Sequence, residues 1–172
     1  IIERLPEKIA LFHRMATING PGTVYASNTS SISIAAIADT HLFPARFAGM
    51  HFFNPPTIMK LVEIVQPPQC DTETIKVLTR LAEELGKTPV VCKDAPGFIV
   101  NRVARPYYIE SLRLAEEGVP ISTIDVLMTA TGFKMGPFKL MDLIGLDINY
   151  SVSTIVWEDL GKPTRLKPAA IQ

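Results

Sequence analysis

The most informative segment of the sequence is Arg46-Phe-Ala-Gly-Met-His-Phe-Phe-Asn-Pro-Pro56, which is followed, after three residues, by Lys60-Leu-Val-Glu-Ile-Val65. Each half contains a short apolar run of the length typical of a buried strand. The Asn-Pro-Pro sequence ends the first run, because proline lacks the backbone donor that a central strand needs. A titratable side chain interrupts each run, His51 in the first and Glu63 in the second. We therefore predict two buried strands that carry polar groups inside them.

The flanking sequence predicts further helices and strands in alternation. Pro6 suits the first turn of a helix that ends at Asn19-Gly-Pro-Gly22. A short strand over residues 23–27 and a short helix over residues 31–38 follow. Beyond the strand that contains Glu63, a helix capped by Asp71 precedes a fourth strand over residues 88–92. This alternation indicates an α/β layer.

The pattern changes after Asp94-Ala-Pro-Gly97, because only helical patterns follow. The predicted helices, each followed by a glycine, cover residues 98–117, 122–131, 137–144 and 148–160. Pro106 should kink the first of these helices. We therefore predict two domains, residues 1–94 and 95–172, and the fold class α/β followed by all-α.

Composition excludes several classes of function. The 172 residues include 17 Lys and Arg and 17 Asp and Glu, so the formal net charge is zero. That balance argues against nucleic acid or an anionic membrane as the main partner, because both favour a basic excess. Two cysteines without a Cys/His cluster predict neither a disulfide framework nor a metal site. The sequence contains no bilayer-spanning apolar run and no signal peptide, which predicts a cytoplasmic protein without a membrane partner.

The two polar residues inside the apolar strands suggest a site. If the strands are neighbours, His51 and Glu63 can form a histidine–carboxylate pair. The carboxylate would fix the imidazole tautomer and stabilise the imidazolium, so that His51 could act as a general base or acid. A purely structural hydrogen-bonded pair is the alternative, and spacing alone leaves it the more common interpretation.

Other polar residues also have two interpretations. The hydroxyls of Ser27-Asn-Thr-Ser-Ser31 can cap the following helix, which is the more common use, or donate to a ligand at the end of a strand. Asn101, just after Pro96-Gly97, could likewise cap a helix or reach a substrate. His13 and His41 are interpreted as ordinary surface or helix residues.

Longer motifs follow one another along the chain: Ser27-Asn-Thr-Ser-Ser31, Phe47-Ala-Gly-Met-His-Phe-Phe-Asn-Pro55, Met59-Lys-Leu-Val-Glu63, Lys93-Asp-Ala-Pro-Gly-Phe-Ile-Val-Asn-Arg102 and Met135-Gly-Pro-Phe138, then Asp142 and Gly145-Leu-Asp147. In this order and spacing they resemble the 3-hydroxyacyl-CoA dehydrogenase family. The resemblance covers nearly the whole chain. It implies the rear half of a Rossmann-like NAD-binding domain followed by a helical C-terminal dimerisation domain.

The same resemblance implies an oxidoreductase of fatty acid β-oxidation that interconverts (S)-3-hydroxyacyl-CoA and 3-ketoacyl-CoA with NAD as its cofactor. It implies catalytic roles for His51 as general base or acid, Glu63 as its partner, Ser30 at the substrate's 3-oxygen and Asn101 near the reacting centre. It implies cofactor contacts at Glu3, Lys8, Asn28, Ser30 and Asn54. Acyl-CoA is the implied substrate, and the implied partner is a second copy bound through residues 95–172.

One part of the family's pattern does not occur in this sequence. The family begins with a Gly-rich turn that sets the cofactor's pyrophosphate on a helix N-terminus, but no G-x-G-x-x-G is found here. Ile1 aligns after that half of the Rossmann domain, so we expect this sequence to be part of a longer polypeptide. The alternative is a non-catalytic module for dimerisation or acyl-CoA binding that lacks a functional NAD site.

Overall fold

A computed structural model describes residues 2–171. One compact unit extends to Ile99 and a second begins at Val100. The first unit alternates helices with strands, as the sequence predicts. Its elements are α1 (Leu5–Asn19), β1 (Tyr25–Ser27), α2 (Ile34–Ala38), a 3-10 turn (Pro44–Arg46), β2 (Phe47–Phe52), β3 (Leu61–Gln66), α3 (Thr72–Glu84) and β4 (Thr88–Lys93).

The four strands form one sheet in the order β1-β2-β3-β4. β1 runs parallel to β2, β2 antiparallel to β3, and β3 parallel to β4. Because β1 and β2 are parallel, their carboxyl ends lie at the same edge of the sheet. The loops that follow these two strands therefore lie next to each other.

Helices cover both faces of this sheet. Alternate residues of β2 and β3 point to opposite faces, so that Phe47 and Val65 belong to one core and Met50 and Ile64 to the other. α1 and α2 complete the first core, and α3 completes the second. The cores contain Phe12, Ala16, Tyr25, Ile34, Ile37, Phe47, Val65 and Phe98 on one face, and Ala48, Met50, Val62, Ile64, Ile75, Leu78 and Ala82 on the other.

Gly49 allows β2 to approach its neighbours closely. A Cβ at this position would lie 2.7 Å from Cβ of Val65 on β3 and 3.0 Å from the side chain of Ile34 on α2. Both neighbours are completely buried, so neither can move without disturbing the core. Only a hydrogen atom fits at this position.

Substitution of Gly49 should therefore destabilise the first unit by overpacking. We expect Gly49→Ala to lower the free energy of unfolding, measured by urea denaturation, by about 1–3 kcal/mol. Gly22→Ala is the matched control, because nothing lies within 4 Å of the position that its methyl group would take and its φ is not positive. Equal stability of the two variants would contradict this account of the packing.

The second unit consists of helices, which confirms the predicted change from α/β to all-α. The helix predicted over residues 98–117 is divided at Ala104, because Pro106 stands in the first turn of a new helix and cannot continue the old one. The core of the second unit contains Tyr108, Leu112, Met141 and Ala169. The elements are α4 (Val100–Val103), α5 (Arg105–Glu116), α6 (Ile121–Ala130), α7 (Pro137–Ile144), α8 (Leu146–Asp159) and a 3-10 turn (Thr164–Leu166).

A buried carboxylate explains the Met-Gly-Pro-Phe motif at the start of α7. Asp125 accepts hydrogen bonds from the backbone N–H groups of Phe138, at 2.9 Å, and Lys139, at 3.2 Å. It thereby satisfies donors that the first turn of a helix leaves free. A Cβ on Gly136 would lie 2.3 Å from Oδ1 of Asp125, so glycine is needed at this position.

No helix within residues 2–171 has both the length and the apolar character needed to cross a bilayer.

His41 is buried, contrary to its interpretation as an ordinary surface or helix residue. It follows α2 and is only 6% exposed, with its ring centroid 4.4 Å from that of Tyr25 and 5.1 Å from that of Phe47. Nδ1 of His41 accepts a hydrogen bond from the backbone N–H of Phe43 at 3.1 Å. Burial lowers the pKa of His41 below its ordinary value of 6.5, because the apolar surroundings disfavour the charged ring.

This residue should make stability depend on pH. The unfolded chain binds a proton at His41 more readily than the folded chain does, so the free energy of unfolding decreases as the pH falls below about 6.5. Above that pH the ring is neutral in both states and contributes no dependence. In His41→Phe, which keeps an aromatic ring here, we expect a smaller loss of stability between pH 7 and pH 5 than in the parent protein, measured by urea denaturation. Parallel pH curves for the two proteins would contradict this.

Candidate active site

The antiparallel register of β2 and β3 places His51 directly opposite Glu63. Nδ1–H of His51 donates to Oε2 of Glu63 at 2.7 Å. His51 is 6% exposed and Glu63 only 1%. The structure therefore brings together the two polar residues that the sequence singles out, as one buried hydrogen-bonded pair.

The other oxygen of Glu63 is held by a backbone group. Oε1 accepts a hydrogen bond from the N–H of Ile99 at 3.0 Å. This donor comes from the turn over residues 94–99, which the sequence assigned in part to the start of a helix. Gly97 and Phe98 both have positive φ there, 75° and 46°, and so turn the chain back toward the sheet. In the sequence, Pro96-Gly97 indicates a turn. Nothing in the sequence indicates that the backbone N–H of Ile99 donates to Glu63, because every residue other than proline has such a group.

Two aromatic rings lie close to the imidazole of His51. The ring centroid of Phe53 lies 4.7 Å from that of His51, and the ring centroid of Phe98 lies 5.5 Å from it. Because Nδ1–H donates its hydrogen bond to Glu63, Nε2 is the nitrogen that carries the lone pair in the neutral ring. In this tautomer the pair can take up a proton at Nε2, and the carboxylate can stabilise the resulting charge.

A second polar cluster lies where the chain leaves β1. Nζ of the buried Lys8 lies 2.9 Å from Oε2 of Glu3 and donates to the backbone oxygen of Asn28 at 3.4 Å. Glu3 also accepts hydrogen bonds from the hydroxyl of Thr29 and from the N–H of Ser30. Partial burial by itself raises the pKa of Glu3, but the hydrogen bond from Thr29 and the ammonium of Lys8 outweigh it and lower the pKa below its ordinary value.

The loop after β1 is joined to the strand that carries His51. Oδ1 of Asn28 accepts a hydrogen bond from the N–H of Phe52, the residue after His51, at 3.1 Å. Thr29 in the same loop accepts from the N–H of Ile32 at 3.1 Å. The N-cap of α2 is Ser33, which lies two residues beyond the Ser27–Ser31 segment whose hydroxyls the sequence offers as caps. The hydroxyl-rich loop thus orders its own backbone, and Asn28 ties it to β2.

These groups lie at the carboxyl ends of β1 and β2, which is where open α/β sheets bind their ligands. Asn54 follows β2 at the same edge and is exposed. Asn101 lies in α4 of the second unit and is partly exposed, and its backbone oxygen accepts a hydrogen bond from Nε of Arg105 at 2.7 Å. In residues 2–171 no three His, Cys, Asp or Glu side chains are grouped as a metal ion would require.

Comparison with known families agrees with this architecture. Residues 1–95 match the family described as 3-hydroxyacyl-CoA dehydrogenase, NAD binding domain. Residues 97–172 match 3-hydroxyacyl-CoA dehydrogenase, C-terminal domain. The chain therefore belongs to the 3-hydroxyacyl-CoA dehydrogenase family.

Individual relatives are similar over most of this chain. A 3-hydroxyadipyl-CoA dehydrogenase of Escherichia coli is 47% identical over 172 residues, which are 99% of this chain and 36% of the relative. The mitochondrial hydroxyacyl-coenzyme A dehydrogenase of Sus scrofa is 47% identical over 149 residues, which are 86% of this chain and 48% of the relative. A crystal structure of 3-hydroxybutyryl-CoA dehydrogenase from Escherichia coli superimposes with a TM-score of 0.93 at 46% identity, over 99% of this chain and 36% of that one. The chain thus spans between a third and a half of the length of these relatives.

Proposed function

We propose that this chain belongs to an enzyme that interconverts (S)-3-hydroxyacyl-CoA and 3-ketoacyl-CoA with NAD. The observation that carries the proposal is the buried His51–Glu63 pair at the ligand-binding edge of the sheet. The names of the relatives point to the same substrate class, because 3-hydroxyadipyl-CoA and 3-hydroxybutyryl-CoA share a 3-hydroxyl and a CoA thioester. A cytoplasmic location for the enzyme stays a prediction from the sequence.

In this reaction His51 moves the proton. During oxidation Nε2 of His51 takes the proton of the 3-hydroxyl, and during reduction it returns that proton to the 3-keto oxygen. Glu63 holds the ring through Nδ1 and balances the positive charge that forms on it. We assign Ser30 and Asn101 to holding the 3-oxygen, a role taken from the family's pattern. NAD, when bound, supplies the hydride acceptor for C3, and its reduced form supplies the donor.

The cluster next to β1 has groups suited to a nicotinamide cofactor. The carboxylate of Glu3 is partly exposed and is fixed by Lys8 and Thr29, so it can accept a hydrogen bond from a cofactor hydroxyl. Its neighbour Ser30 can offer a hydroxyl at the same edge of the sheet. We assign the cofactor contacts to Glu3, Lys8, Asn28, Ser30 and Asn54.

Loss of the imidazole should remove most of the activity. In the protein at its natural length, His51→Ala should reduce kcat for acetoacetyl-CoA-dependent NADH oxidation by about 10²- to 10⁴-fold, because positioned acid–base catalysis contributes that much. The KM for NADH should change little. His13→Ala, which removes an exposed histidine of α1, is the control. A His51→Ala variant that retains most of its kcat would refute the assignment, and an inactive parent protein would refute the proposed function.

The proposed homodimer is supported by the apolar surface of the second unit. Seven large apolar side chains on α6, α7 and α8 are exposed, and we propose that they contribute to the surface that the second copy covers. Leu143 is 70% exposed and Val126 65%. The full set comprises Ile121, Val126, Leu127, Leu143, Leu146, Ile148 and Tyr150.

A charge on this surface should prevent self-association. By light scattering at micromolar concentration we expect twice the polypeptide mass for the parent protein and a shift toward a single mass for Leu143→Glu, because a buried unpaired carboxylate is strongly unfavourable at an interface. Ile18→Glu, at a similarly exposed position on α1 (73%), should leave the mass unchanged. A parent protein with a single polypeptide mass would contradict the homodimer.

A further inference from the structure

The carboxylate of Asp94 joins two segments of the first unit that are far apart in sequence. Oδ1 accepts a hydrogen bond from the N–H of Ile34 at 3.1 Å, and Oδ2 accepts from the N–H of Ala35 at 2.6 Å. Oδ2 also accepts from the hydroxyl of Ser33 at 2.9 Å. Asp94 therefore holds the first turn of α2 although it follows β4, about sixty residues away along the chain.

On one side, this contact fixes the loop that carries Ser30. The loop runs directly into Ser33, so a fixed start of α2 also fixes the loop's end. Near its beginning the loop is also attached by the hydrogen bond that Asn28 accepts from the N–H of Phe52 and by those that Glu3 accepts from Thr29 and Ser30. Removal of the Asp94 carboxylate would leave the loop attached mainly at its beginning.

On the other side, Asp94 begins the turn that holds Glu63. The N–H of Asp94 donates to the backbone oxygen of Gln66 at 3.3 Å, and the N–H of Phe98 donates to that of Ala95 at 2.8 Å. The turn ends at Ile99, whose N–H donates to Glu63.

The turn also contains a conformation that needs support. Phe98 has φ of 46°, in the left-handed region that bulky side chains rarely adopt. Such a residue persists only where its surroundings fix it. The side chain of Phe98 is buried in the core that α1 and α2 form, and Asp94 ties the beginning of the turn to α2.

We infer that Asp94 is a positioning residue, which holds the Ser30 loop and the His51–Glu63 pair in a fixed relation. The inference rests on the proposed function for its catalytic consequence, although the structural consequence can be measured without activity. The hydrogen bonds described above for the Asp94 carboxylate all come from the start of α2. Asp94 acts through the N–H of Ile99 on one side and through α2 on the other.

Amide hydrogen exchange measured by NMR in the protein at its natural length tests the structural part. We expect the N–H of Ile99 to exchange about 10- to 100-fold faster in Asp94→Ala than in the parent protein, relative to the amides of β3, because its turn opens locally. Asp94→Asn retains one accepting oxygen, so its effect should be smaller and in the same direction. If Asp94→Ala does not fold, Asp94→Asn carries the test.

The matched control is Asp71→Ala, which removes another aspartate cap in the same unit. Asp71 accepts a hydrogen bond from the N–H of Thr74 in the first turn of α3, away from Glu63. A general loss of stability would accelerate exchange similarly in Asp71→Ala and Asp94→Ala. The inference is supported if the N–H of Ile99 exchanges faster, relative to the amides of β3, in the Asp94 variants only. An unchanged ratio in Asp94→Ala and Asp94→Asn overturns it.

Kinetics test the catalytic part. We expect Asp94→Ala to lower kcat by about 10- to 100-fold with little change in the KM for NADH, because a small misplacement of catalytic groups has an effect of this size. Asp94→Asn should recover part of the kcat, and Asp71→Ala should retain the parent value. A kcat equal in all four proteins would overturn the catalytic part. An inactive parent protein would instead overturn the proposed function, while the exchange measurement would still decide the structural role of Asp94.

Discussion

The buried carboxylate of Glu63 determines how the strands and the turn around it must be arranged. It is almost completely buried, so the groups around it have to replace the hydration that it loses. Nδ1–H of His51 and the N–H of Ile99 are among the donors that do so. Both contacts require the observed register of β2 and β3, because a slip of one residue would turn Glu63 toward the opposite face. The turn over residues 94–99 is then required to bring Ile99 back to the sheet.

The sequence predicts those parts of the fold and site that depend on local patterns. The four strands, the flanking helices and the change to an all-helical second half follow from apolar runs, proline and glycine positions. The His51–Glu63 pair can also be predicted, because each residue interrupts an apolar strand and the two strands follow one another. The break at Ala104 follows from Pro106, although the sequence suggested a kink and the structure has two helices.

The remaining features depend on contacts that leave little local signal. The N–H of Ile99 is a backbone group, and its position depends on the left-handed conformation of Phe98. Asp94 resembles any polar residue at a strand end until the tertiary fold brings α2 to it. The burial of His41 likewise depends on rings from β1 and β2 that are distant in sequence. Local propensity cannot report contacts made across the sheet.

The burial of the His51–Glu63 pair itself argues for chemistry. A buried polar or charged pair is weak evidence for stability, because well-packed apolar side chains of similar size often stabilise a protein as much or more. The neighbouring positions on these strands are filled by apolar residues, so the fold has no general need for polar groups there. A fixed tautomer with its lone pair on Nε2 is a property that apolar residues cannot supply. The His51–Glu63 pair lies near the carboxyl ends of β1 and β2. His51 is therefore at the edge where α/β sheets bind their ligands, which is where a proton-accepting nitrogen would be useful.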